Sequence, residues 1–189
     1  MRSMTKLALT VAAALASPIA ADAAVIGGSY FAIQYDWAEF YAAADKRDFR
    51  VELIGNPFPN MDPAEFARRL LPVMQVNRPP VNTTFTYDVP AERPHPDYRL
   101  ILIFDPANDN SSAVCAGTVK RNAPRANPGH VYVWGVYCRN DQALSEAVGW
   151  ASASSPEDSG MGELMKDLFN TVFDRSPYSY RQHGHALSK

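Results

Sequence analysis

The chain is poor in sulfur and imidazole. Of 189 residues only Cys115 and Cys138 are cysteines, and the four histidines are His95, His130, His183 and His185. No Gly-x-Ser-x-Gly nucleophile elbow, phosphate loop or dinucleotide fingerprint occurs, so the chemistries that rest on those motifs have no signature here. Positive charge is not in excess either: 18 Lys and Arg stand against 20 Asp and Glu, net −2, which excludes bulk attraction to nucleic acid. There is no internal repeat. Beyond the first two dozen residues no segment has the length and apolarity of a membrane span, which takes roughly 20 residues.

What is present first is a leader. Arg2 and Lys6 precede the alanine-rich apolar run Leu7 to Ala16, Pro18 closes it, and Ala21-Asp22-Ala23 is an Ala-x-Ala cleavage pattern. This is the layout of a secretory signal peptide over residues 1–23. No cysteine follows it for a lipid anchor, and the expected location is periplasmic or secreted. The remaining chain has 16 cations and 19 acids, net −3. It divides into one domain over residues 24–176 and a C-terminal tail, 177–189, with little to bury.

In an oxidising compartment an even cysteine count favours a disulfide. Closing a loop of about 24 residues contributes roughly 3 kcal/mol in the chain-entropy model. The rival, a Cys138 thiol with His130 as base, fails on distance. Eight strand steps separate the two by about 26 Å, beyond direct proton transfer.

The element pattern predicts an α+β domain, a mainly antiparallel sheet packed by three to four helices. Asp36 and Glu39 form a capping box ahead of Trp37, Phe40, Tyr41 and Ala44 on one helical face. FRVELI, Phe49 to Ile54, reads as a strand stopped by Gly55-Asn56-Pro57. Asp62, Pro63 and Glu65 start a second helix with Phe66, Leu70, Val73 and Met74 inward, which Pro72 should kink or shorten to about two turns. Thr83 to Val89 is a strand, and Leu100 to Phe104 is a central one, apolar throughout. Val114 to Lys120 and Val131 to Cys138 are expected to form a long hairpin, with the loop Arg121 to Gly129 at its tip and the disulfide at its open end. Asp141 to Val148 reads as a helix, and Glu163 to Phe173 as a last amphipathic one.

Candidate sites follow from side-chain chemistry. Lys120, Arg121 and Arg125 cluster at the expected hairpin tip, where they can meet a phosphate-bearing or acidic envelope polymer. Trp134, with Tyr132 and Tyr137, is a candidate aromatic platform for a sugar or peptide. His183 and His185 are an incomplete metal set, and Asp105, Asn108, Asp109 and Asn110 lack the glycine and distal glutamate of an EF-hand. No metal or cofactor is therefore expected. Asn82 and Asn110 match a glycosylation pattern that matters only in a eukaryotic host. With no paired catalytic constellation in the sequence, the expected function is a non-enzymatic exported protein that binds an envelope partner through a sheet edge, a basic loop or an aromatic patch. The alternative is a small hydrolase assembled in three dimensions from Asp105 or Glu52 with His95.

Overall fold

A computed structural model describes residues 23–91, 96–107, 110–122 and 129–177. The described elements run β1 (Val25–Phe31), α1 (Trp37–Ala44), β2 (Asp48–Ile54), α2 (Pro63–Val76), β3 (Thr84–Thr86), β4 (Tyr98–Phe104), α3 (Ser111–Cys115), β5 (His130–Arg139), β6 (Gln142–Ser152) and α4 (Ser159–Val172). They form a single α+β domain around a six-stranded sheet of order β1-β6-β5-β4-β2-β3. The sheet is mixed, which corrects the expectation of a mainly antiparallel one. β1, β6, β5 and β4 pair antiparallel, whereas β2 runs parallel to both β4 and β3. The parallel pairing of β2 with β3 uses a crossover through α2.

Local chemistry accounts for the helix starts. Asp36 accepts from the Ala38 amide at 2.8 Å to begin α1. Asp62 accepts from Ala64 and Glu65 ahead of Pro63 to begin α2. α2 is not shortened at Pro72 but runs 14 residues through it. Pro72 and Arg68, the residue four back, both lie on the exposed side, where water can satisfy the freed carbonyl.

Two segments reverse their expected type. Of the expected helix Asp141 to Val148, Gln142 to Val148 belong to strand β6. Asn140, at φ +54°, and Asp141 make the two-residue turn between Arg139 and Gln142, and a left-handed first turn residue suits a tight hairpin. Sheet pairing on both sides of β6 then overrides the helix propensity of its Ala, Leu and Glu. Val114 to Lys120 is not a strand paired to β5. Its first residues close α3, capped by the Asn110 side chain on the Ala113 amide, and β5 pairs with β4 and β6 instead.

The two sheet faces are covered unequally. On one, Phe66, Leu70 and Met74 of α2 and Leu164, Leu168 and Phe169 of α4 meet Leu100, Leu102, Phe104, Val133 and Tyr137. Small residues let α4 approach: a Cβ at Gly149 would lie 2.8 Å from Leu164 Cδ1 and 2.9 Å from Ile26 Cδ1. Ser145 Oγ donates to the Val172 carbonyl at 2.6 Å across the same seam. On the opposite face Val114 and Cys115 of α3 cover Ile101, Ile103, Trp134, Val136 and Cys138.

The disulfide joins Cys115 to Cys138 with Cα atoms 5.7 Å apart. It ties α3 down onto the sheet and does not bridge two paired strands. Arg99 reinforces the tie, donating from Nη2 to the Cys115 carbonyl at 2.6 Å and from Nη1 to the Asn140 carbonyl at 2.7 Å.

Candidate functional site

Several sequence candidates resolve into structural roles. Glu52 faces Arg50 at 3.1 Å and Arg99 at 3.0 Å as an ion pair. It sits opposite Ile101 in the ladder, four residues or about 13 Å of strand from Asp105, so those carboxylates are not brought together. Asn110 spends its side-chain oxygen on the α3 cap. Among the described residues no three His, Cys, Asp or Glu side chains are placed to hold a metal ion. His95, Asn108, Asp109, Arg125, His183 and His185 lie outside the described residues.

A polar cluster closes one end of the helix-covered core. Arg139 Nη1 donates to both Glu39 carboxylate oxygens, at 2.9 and 3.2 Å, and Nη2 donates to Gln142 Oε1 at 2.9 Å. The Tyr98 hydroxyl donates to Glu39 at 3.2 Å; burial first, then the Glu39 charge, raises its pKa. With Glu39 accepting three hydrogen bonds from two side chains, Arg139 and Tyr98, the cluster fixes α1 against β4 and β5. It is an anchor between elements.

The exposed surface lies elsewhere. Trp134 is only 3 % exposed, packed beside the disulfide, and the exposed aromatics Trp150 and Tyr30 stand on the next two strands out, β6 and β1. β6 alternates after its bulge: Ser145, Ala147, Gly149 and Ala151 face α4, while Glu146, Val148 and Trp150 face the other way. Ladder register sets Val25 beside Trp150 and Tyr30 beside Glu146. Val25, Tyr30 and Trp150 are 41, 53 and 40 % exposed, and Trp150 stacks on Tyr132 at 6.2 Å and 17°.

Beside them runs β1, an edge strand with no Lys, Arg, Asp, Glu or Pro and with five of its seven residues exposed. The outward backbone groups can be identified. The Ala32 amide donates to the Leu144 carbonyl at 2.8 Å, so Tyr30 and Gly28, in steps of two, also aim their backbone at β6. Ser29 and Phe31 therefore aim theirs outward. The only interruption is the register shift between Ile26 and Gly28.

Lys120 and Arg121 are displaced from their expected hairpin tip. Residues 120–122 return antiparallel to residues 105–107, with a Pro106–Arg121 bridge and an Ala107 amide bonded to the Lys120 carbonyl at 3.1 Å. Arg121 and Lys120 thus sit at the carboxyl end of β4. The sequence carries a trace of the β1–β6 surface: the two-residue alternation of Glu146, Val148 and Trp150, and the charge-free VIGGSYF of Val25 to Phe31. The chain matches no protein-family model, no curated protein and no solved structure.

Proposed function

We propose that this is an exported, non-enzymatic binding protein of the cell envelope, which adds an extended segment of a partner protein to the free edge of β1. The observation that carries the reading is the state of that edge. Exposed edge strands ordinarily hold charges, prolines or very short lengths that deter pairing. β3, at the opposite edge, has only three residues. β1 has seven and no charge, with Val25, Tyr30 and Trp150 exposed along one side. An edge ladder supplies affinity through the main chain, and alternate side-chain contacts supply selectivity. Trp and Tyr are the residue types that most often dominate such contacts. The leader and the disulfide both accord with export.

The test uses Ser29→Pro. It removes an outward amide without touching the bonds to β6, and proline is tolerated at a strand edge. Immobilised wild-type protein is expected to retain one stoichiometric partner from an envelope extract. Ser29→Pro, folded by circular dichroism, is expected to lose it, and Ser29→Ala to keep it. Equal recovery by wild type and Ser29→Pro contradicts the proposal.

A further inference from the structure

We propose a second binding site, for an oxyanion of the carboxylate or phosphate type, at the carboxyl ends of β2 and β4, with Arg121 as its anchor. Three independent observations converge there.

The first is topological. β2 and β4 are adjacent and parallel. The chain leaves β2 toward α2, in the large core, and leaves β4 toward α3, on the opposite face. Where neighbouring parallel strands send their connections to opposite faces, a crevice opens at the strand ends, and ligands of open sheets bind in such crevices.

The second is the way Arg121 is held. Its Nε donates to the Phe104 carbonyl, the last residue of β4, at 2.9 Å. Its guanidinium lies over Gly55, the first residue beyond β2. Gly55 has φ +90°, and a Cβ there would collide with Arg121 Cζ, Nε and Nη2. The glycine therefore serves both a left-handed turn and a seat for the arginine. Nη1 and Nη2 make no hydrogen bond or ion pair among the described residues, and Arg121 is exposed. An exposed arginine ordinarily gives up rotamer freedom when it binds. This one is fixed through Nε and presents its two Nη groups as a ready fork for a bidentate oxyanion.

The third is Asp105, which follows Phe104. It is 4 % exposed and has φ +52°, and residues held in that region concentrate at functional sites. Its carbonyl accepts from the Asn122 amide at 2.9 Å, and Asn122 Nδ2 donates to the Pro106 carbonyl at 2.9 Å. These bonds hold the segment bearing Arg121 in place. Lys120 carries a second positive charge at the adjacent chain position. β6 and β5 separate the site from β1, so either binding proposal can fail without the other.

The experiment is a titration of the full protein with sodium acetate and, separately, inorganic phosphate, at ionic strength held constant with chloride. The Arg121 Nε–H and the Gly55 and Asn122 amides are followed by NMR. A saturable shift with half-saturation in the millimolar range is expected for at least one anion. Saturation by acetate alone assigns a carboxylate ligand, and saturation by phosphate alone assigns a phosphate. Arg121→Lys keeps the charge and loses the fork, and should weaken binding about ten-fold. Lys120→Ala loses a charge and keeps the fork, and should weaken it about two-fold or less. Shifts that never saturate, or a larger loss in Lys120→Ala than in Arg121→Lys, would overturn the proposal.

Discussion

Tyr137→Phe should make the protein more stable. The Tyr137 ring is fully buried, with Tyr98 at 6.0 Å, Phe40 at 5.8 Å and Phe173 at 5.2 Å between centroids, and its hydroxyl has no hydrogen-bond partner among the described residues. A buried hydroxyl left unpaired costs about 1–3 kcal/mol. Removing it forfeits only the dispersion contacts of one oxygen, each on the order of 0.1–0.2 kcal/mol. The expected gain is about 1 kcal/mol, or roughly 2–4 °C in Tm for a domain of this size.

The same residue has a signature at alkaline pH. Burial first, then the neighbouring Tyr98, Tyr35 and Glu39, pushes its pKa well above the ordinary value, with Arg139 opposing. Below pH ~10 the phenol is neutral in folded and unfolded chains alike and adds no pH dependence. Above it the unfolded chain releases a proton that the folded one retains, so stability falls by about 1.4 kcal/mol per pH unit. Tyr137→Phe should remove that share of the slope. Urea unfolding by circular dichroism at pH 7.5 and across pH 10–11 reads both effects. A loss of about 1 kcal/mol or more at pH 7.5 would show that the hydroxyl is partnered and refute the reasoning.

Two further outcomes test the architecture. The double variant Cys115→Ala, Cys138→Ala should lose about 3 kcal/mol in denaturant unfolding, while the partner retained by the wild-type protein is still retained wherever the variant is folded; loss of the partner by folded variant protein would tie the disulfide to binding. Gly149→Val places a branched side chain between Leu164 and Ile26 and should cost about 1–3 kcal/mol by overpacking, whereas an unchanged melting temperature would mean that α4 does not press on β6 there.

Elements whose local and tertiary signals agree were legible in the sequence. α1 and α2 begin at Asp36 and Asp62, where capping chemistry stands ahead of an apolar stripe, and Leu100 to Phe104 is a central strand because both faces are buried. β6 was not legible as a strand. Its Ala and Glu content favours helix, and its small residues make sense only once α4 lies against them. The disulfide pairing was legible from the expected export and the even cysteine count, but its geometry was not: Cys115 reaches Cys138 from a five-residue helix above the sheet. Arg121 stood out as a basic residue, yet its seat on Gly55 joins positions 66 residues apart and has no local trace. Trp134 is an aromatic in an apolar run, and α3 with the disulfide covers the face on which it lies.

The central claim is that β1 binds through its outward main chain, and amide hydrogen exchange on the isolated complex tests it most directly. In the free protein the Ser29 and Phe31 amides should exchange fast, while those of Gly28 and Tyr30, bonded to β6, are already protected. Partner binding should protect Ser29 and Phe31 and leave Gly28 and Tyr30 little changed. A stable complex in which Ser29 and Phe31 still exchange at the free-protein rate would contradict the account.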